Sequence, residues 1–230
     1  MEKMPFQQEM ARAATMASAA TPTVSAQLPL TDGVITTTDW RAGLPVLTAS
    51  RVTLRELRRD DAASLLAMIS TEEVARFISP PPTTVDGFER FIDWTARERA
   101  NGNYFCFAVV PDGLTAAVGL FQVRALEPGF GTAEWGFALG SGFWGTGVFA
   151  DGAKLVLDFA FDVIAVNRLE ARASLANGRG NGALRKIGAV QEGILRRSFL
   201  HNGEYHDQVL WSVLAEDWRV QRDDRRPPVH

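Results

Sequence analysis

Ala133-Glu134-Trp135-Gly136-Phe137-Ala138-Leu139-Gly140-Ser141-Gly142-Phe143-Trp144-Gly145-Thr146-Gly147 is the stretch that decides how this chain folds. It reads as a strand over Thr132–Leu139, then a glycine-rich turn, then the first turn of a helix. Along the strand, Trp135, Phe137 and Leu139 alternate with Glu134, Gly136 and Ala138. One face is therefore large and apolar. The other carries a single carboxylate beside two residues with almost no side chain, which leaves room for a ligand to approach the backbone. A solvent-facing glutamate with small neighbours fits the same pattern.

The loop points more firmly to a ligand. Gly140, Gly142, Gly145 and Gly147 crowd into eight residues. Glycines permit positive φ, so successive backbone N–H groups are free to converge on one anion. A helix starting near Gly147 adds the positive end of its dipole. The lysine of a GxxxxGK[ST] loop is absent, and Ala150 stands where a dinucleotide fingerprint has its third glycine. A purely structural turn is the competing reading of the loop by itself.

Working outward, Val52-Thr53-Leu54-Arg55 alternates as a strand. Asp60 or Asp61 caps a helix carrying Leu65, Leu66 and Ile69. A short helix with Val74, Phe77 and Ile78 stops at Pro80-Pro81-Pro82, and Thr84 or Asp86 opens a longer one with Phe88, Phe91 and Ile92 inward. Tyr104–Val110 and Ala116–Val123 form strands around the Pro111-Asp112-Gly113 turn. Downstream, one amphipathic helix is expected from Gly147 to about Val163, with Val148, Gly152, Leu155, Phe159 and Val163 on its inner stripe. Arg168–Leu175 alternates with Leu169, Ala171, Ala173 and Leu175 on one face, and a helix from about Arg179 to Ile187 ends at Gly188. Asn202-Gly203 predicts a type I′ hairpin between Val190–Leu200 and Tyr205–Val213.

The bulk numbers bound the function. The chain has 230 residues, 46% of them apolar, and a formal net charge of -3. That suits one sizeable domain plus a tail and lacks the clustered basic surface that nucleic acid needs. The single cysteine, Cys106, lies in an apolar run and reads as a buried thiol. His201, His206 and His230 have no metal-ligand spacing, so no metal site is expected. No stretch reaches the ~20 apolar residues of a membrane span, and a cytoplasmic setting is the expectation. Residues 1–47 read as a low-complexity, flexible tail or arm, 48–218 as the folded domain and 219–230 as a C-terminal tail.

In this order, the blocks resemble the GCN5-related N-acetyltransferases, specifically the branch of ribosomal-protein N-terminal acetyltransferases. Phe143-Trp144-Gly145-Thr146-Gly147 resembles the family's pyrophosphate loop, Asn177–Gly188 its second cofactor-side helix, and Val190–Leu210, with Glu192-Gly193, Asn202-Gly203 and Asp207, its closing hairpin. The resemblance runs from Val52 to Val213. It implies an α/β (α+β) fold whose mixed, mostly antiparallel central sheet is flanked by helices. It also implies acetyl-coenzyme A as co-substrate and an amine as acceptor. Separately, the hairpin edges are compatible with a homodimer. The pyrophosphate would rest on Gly142, Trp144, Gly145, Thr146, Gly147 and Val148. The pantetheine arm would pair with the strand at Phe137, Ala138 and Leu139, and Asn177 would bind cofactor or cap its helix. Glu134 would then face the thioester as general base, with Tyr205 and Ser174 as weak candidates for a proton donor. Two positions depart from the family pattern: Gly142 where glutamine or arginine is usual, and Gly180 where serine is common. Those departures motivate a non-catalytic acyl-coenzyme A sensing module as one alternative. A nucleotide-binding α/β domain is a third. The helices between Asp60 and Ala100 are expected to shape the acceptor pocket, with Phe77, Ile78 and the proline run on its rim.

Overall fold

The computed structural model describes residues 39–224. The first 38 residues of the expected tail and the last six of the chain lie outside them. Eight strands form one sheet: β1 (Leu47–Thr48), β2 (Val52–Glu56), β3 (Tyr104–Pro111), β4 (Gly119–Ala125), β5 (Thr132–Leu139), β6 (Arg168–Ser174), β7 (Val190–His201) and β8 (Glu204–Leu214). Their order is β1-β2-β3-β4-β5-β6-β8-β7. The pairings are antiparallel except β5 with β6, which run parallel. The crossover that a parallel pair requires is the helix α4 (Val148–Asp158).

Central β3 shows why two helical layers are needed. All eight of its residues are buried. Phe105, Phe107 and Val109 enter the core on one face, while Tyr104, Cys106, Ala108 and Val110 enter a second core on the other. The first core packs under α4, α5 (Gly178–Lys186) and α6 (Ala215–Asp224) through residues such as Val156, Leu184 and Trp218. The second packs under α1 (Ala62–Ile69), α2 (Glu72–Ala75) and α3 (Val85–Ala100) through Leu65, Val74, Phe88 and Phe91. Each fully buried large apolar side chain contributes about 1.5–3 kcal/mol relative to exposure. Burial also pushes the Cys106 thiol far up, which keeps it protonated, as expected of a core cysteine.

Several local expectations hold at residue level. Thr84 caps α3 by accepting from the Gly87 amide, and Gly188 ends α5 at φ +92°. Asn202 and Gly203 both have positive φ, as a type I′ turn demands. Other expectations shift. The long helix stops at Asp158 and continues as a π-helical segment, Phe159–Val163. Its wider turn changes the phase, so Phe159, Ala160 and Phe161 are all buried while Val163 is only half-buried; Leu155, upstream of the segment, is half-buried too. Leu175 lies past the end of β6 and is 50% exposed. The folded unit also reaches beyond 48–218: Trp40 and Leu44 are buried in the first core, and α6 runs on to Asp224.

Candidate functional site

The parallel ladder between β5 and β6 lasts only three rungs, Thr132↔Arg168, Ala133↔Leu169 and Glu134↔Glu170. Beyond Glu134 the two strands diverge, while β5 keeps its full antiparallel pairing with β4 as far as Gly119↔Leu139. Backbone direction follows from that pairing. Thr132 accepts from Leu126, and Gly140 donates to Val118 at the two ends of β5. Even-numbered residues therefore bond toward β4, and Trp135, Phe137 and Leu139 turn their N–H and C=O groups to the other side. No strand among the described residues pairs with that side beyond Glu134. The Leu139 carbonyl is taken by the Trp144 indole N–H at 2.9 Å. Phe137 is left with a strand edge facing the gap.

A cleft of about 560 Å³ opens there. Its floor is Glu134, Gly136, Phe137 and Ala138 on β5 with Ala171, Arg172 and Ala173 on β6. Ile69, Phe77, Ile78, Pro81 and Phe88, from the segment between Asp60 and Ala100, make one wall. Leu195, Ser198, Phe199 and Gln208 of the hairpin make another, and Asn177 and Gly180 stand at the start of α5. Tyr104 reaches in from β3 and donates to Gln122 Oε1 at 2.5 Å. Burial holds its phenol well above the usual range, so it stays protonated.

Glu134 lies on the floor, but in company the sequence did not disclose. Arg124 Nη2 donates to its Oε2 at 2.6 Å, and Arg172 Nη1 to its Oε1 at 2.6 Å. The network continues: Arg172 also pairs with Glu170, Arg168 pairs with Glu170 and Glu192, and Ser212 donates to Glu192 at 2.6 Å. These residues follow the cross-strand register from β4 through β5, β6 and β8 to β7. The alternation Arg168-x-Glu170-x-Arg172 is visible in the sequence as a polar strand face. Which carboxylate each guanidinium meets depends on strand order and register, which no single segment encodes.

The glycine-rich loop leads from the end of β5 into α4, and none of its residues lines the cleft. Gly145 and Gly147 have φ of +76° and +91°, so glycine is required there. Thr146 Oγ1 donates to the Phe143 carbonyl at 2.7 Å, which braces the turn. Gly147 gives α4 no side-chain cap, and the Val148 amide donates to Thr146 Oγ1 at 3.5 Å. Val148 is buried, and only its backbone belongs to the loop surface. Gly142 meets nothing that a Cβ would touch, and no basic side chain stands on the loop itself. Basic groups arrive from elsewhere: Arg179 of α5 lies over the Trp144 ring at 4.3 Å, and Arg51 reaches Gly147 while pairing with Asp151 at 3.0 Å.

Asn177 caps α5, its Oδ1 accepting from the Gly180 amide at 2.8 Å. A Cβ on Gly180 would lie 2.5 Å from Asn177 Nδ2, so the serine common in the family would crowd this cap. Asn181, missed in the sequence, is buried and ties the helix down: it donates to the Ser174 and Asn177 carbonyls and accepts from Trp211 Nε1 at 2.9 Å. The two weak proton-donor candidates are not in the cleft lining. Tyr205 is half exposed under Arg197 near the hairpin turn, and Ser174 is buried at the end of β6. No cluster of metal-binding side chains occurs among the described residues, and no helix there is long and apolar enough to cross a membrane.

Comparison with known proteins gives this architecture a place. The acetyltransferase (GNAT) domain family matches residues 51–190. YdaF of Bacillus subtilis, provisionally named a ribosomal N-acetyltransferase, is 25% identical over 177 residues, covering 74% of this chain and 95% of its own. The spermidine N(1)-acetyltransferase of Escherichia coli K12 is 25% identical over 173 residues, covering 75% and 91%. Mycobacterium smegmatis RimJ, solved in complex with CoA-disulfide, superimposes with a TM-score of 0.66 at 21% identity, over 76% of this chain and 90% of that one. At that identity the superposition speaks for the fold.

Proposed function

This chain belongs to the GNAT acetyltransferase family, and on that premise we propose that it transfers an acetyl group from acetyl-coenzyme A to a primary amine by direct attack on the thioester. The observation that carries this reading is the divergence of β5 from β6 after the Glu134↔Glu170 rung, with the glycine-rich loop following the end of β5. The residues fit an extended, anionic ligand. The edge of Phe137 offers an amide and a carbonyl for strand-like pairing. Gly142, Gly145, Thr146 and Gly147 offer backbone donors, whereas the amides of Phe143, Trp144 and Val148 already donate to Gly140, Ser141 and Thr146 Oγ1; Arg51 and Arg179 add positive charge that the loop lacks.

Bound acetyl-coenzyme A would supply the activated acyl carbonyl. The chain's own part is to orient and to move a proton. An acceptor amine with pKa near 10.4 is almost wholly protonated at neutral pH and must lose a proton before it attacks. On this reading Glu134 takes that proton, directly or through water. A carboxylate has about four lone-pair sites, and the two guanidiniums occupy two of them, so each oxygen retains one for a water or an ammonium. Backbone N–H groups on the free side of β5 would stabilise the oxyanion. The leaving thiolate is stable enough to depart without a dedicated acid.

A second reading is favoured by the same clasp. If Arg124 and Arg172 hold Glu134 too firmly for proton transfer, the domain binds acyl-coenzyme A without turning it over. Two measurements decide. Acetyl-coenzyme A should raise the melting temperature where nucleoside triphosphates do not, since a ligand at ~100 Kd adds ~2.7 kcal/mol. Free thiol should then appear when an amine is supplied; binding without thiol release would leave the sensing module.

A further inference from the structure

The cleft's charge pattern bears on the acceptor. Among the described residues, three lining side chains are charged: Arg124, Glu134 and Arg172. Glu134 is the one carboxylate, and both of its oxygens accept from guanidiniums at 2.6 Å. Glu170, the next carboxylate along the sheet, is held by Arg168 and Arg172 in turn. The remaining lining is uncharged: Ile69, Phe77 and Phe88 form an apolar wall, interleaved with polar side chains such as Gln122, Ser198 and Gln208.

A polycation entering such a site would give up water around several ammonium groups. Each of these needs a carboxylate to offset that loss, and like charges brought together in a cleft are penalised strongly. Here one lone-pair site on each Glu134 oxygen can guide a single amine proton, but the carboxylate's charge is already balanced from both sides. An apolar substituent, by contrast, finds a matching wall.

We propose that the Arg124–Glu134–Arg172 clasp makes this site selective for an acceptor with one cationic centre, the reacting amine, on an apolar body, and that it rejects polyamines. The proposal rests on the acetyl-transfer reading and narrows it. It also separates this chain from the spermidine N(1)-acetyltransferase to which it is 25% identical over 173 residues.

The test compares kcat/KM for thiol release from acetyl-coenzyme A with phenethylamine, an uncharged-side-chain peptide amide with a free N-terminus, and spermidine. The wild-type protein is expected to prefer at least one of the single-amine acceptors over spermidine by roughly tenfold or more. Arg124→Gln and Arg172→Gln, each leaving Glu134 with one guanidinium, are expected to shift the ratio toward spermidine. Folding of each variant is checked by its thermal shift with acetyl-coenzyme A, and the wild-type ratio stands whether or not a variant folds. Spermidine used as well as or better than the single amines would overturn the proposal while leaving acetyl transfer intact. Stabilisation by acetyl-coenzyme A with no amine acetylated would instead overturn the transfer reading and the proposal with it.

Discussion

Glu134 and Glu170 stand opposite each other on the last rung of the β5–β6 ladder, and Arg172 pairs with both, at 2.6 Å and 3.4 Å. Two carboxylates so placed repel, and directly opposed like charges on a sheet are destabilising. The guanidinium between them therefore fastens the rung at which the gap begins. Removing it by Arg172→Met should cost about 1–2 kcal/mol, between the values for exposed and buried pairs. In a domain of this size that is a fall of roughly 2–8 °C in melting temperature. The double variant Arg172→Met/Glu170→Gln should recover part of the loss. Equal losses in single and double variants, measured by denaturant titration, would show that the repulsion is not what Arg172 relieves.

Much of this arrangement could be read from the chain. The strand Thr132–Leu139, its alternation and the loop after it depend on local patterns, and β5 has those bounds. Type I′ geometry at Asn202-Gly203 and the Asn177 cap depend on one or two residues each, and both stand as expected. What could not be read depends on register across distant strands. Arg124 is ten residues from Glu134 and Arg172 is 38 away, and only the assembled sheet brings them to the same carboxylate. The π-helical segment at Phe159–Val163 was hidden for a different reason: the helical period continues in the sequence, but tertiary packing of Phe159 against Phe105 and Phe107 shifts its phase. Arg179 over Trp144 likewise belongs to two separate segments.

The loop glycines are not equivalent. Gly147 has φ +91° and a Cβ there would lie 3.1 Å from Arg51 Cδ. Gly147→Ala should therefore lose about 1–2 kcal/mol from the left-handed conformation, with further crowding of Arg51. Gly142 lies outside the positive-φ set and has nothing within 4 Å of its Cβ direction. Gly142→Gln should leave stability within ~0.5 kcal/mol of the parent. On the acetyl-transfer reading it should also tighten acetyl-coenzyme A binding by a factor of a few, the scale of one added hydrogen bond at about 0.5–1.5 kcal/mol. Calorimetric titration of both variants checks this; a Gly142→Gln protein with weakened binding would mean that the loop approaches its ligand at that position too closely for any side chain.

Acid should weaken the far end of the charge network in a defined window. The hydrogen bond from Arg168, with a second from Ser212, holds the Glu192 carboxyl down at about 2, against an ordinary value of 4.5. A carboxylate depressed in the folded state adds stability above its unfolded pKa and loses that contribution as pH falls through its folded pKa. The wild-type advantage over Glu192→Gln should therefore be constant above about pH 5.5, shrink from pH 4.5 downward and vanish near pH 2. The pair is partly exposed, so the advantage should also fall with added salt. Denaturation of both proteins across pH 2–7 measures it; a difference that does not change with pH would remove Glu192 ionisation as its source.

Glu134 carries the most direct test of chemistry. Gln at this position keeps the shape and can still accept from one guanidinium, but it can take no proton. If Glu134 is the general base, Glu134→Gln should lower kcat at neutral pH by ~10²-fold and flatten the rise of rate with pH, because general-base catalysis is worth about that much. At high pH, where the free amine is already abundant, the gap between variant and wild type should narrow. A substitution that merely disturbs the clasp would instead lower stability and rate without changing the shape of the pH profile. Measuring melting temperature alongside the pH–rate curve separates these outcomes. A full-height profile in the variant would place the proton acceptor in solvent, and the clasped carboxylate would then serve only to bind and orient the acceptor amine.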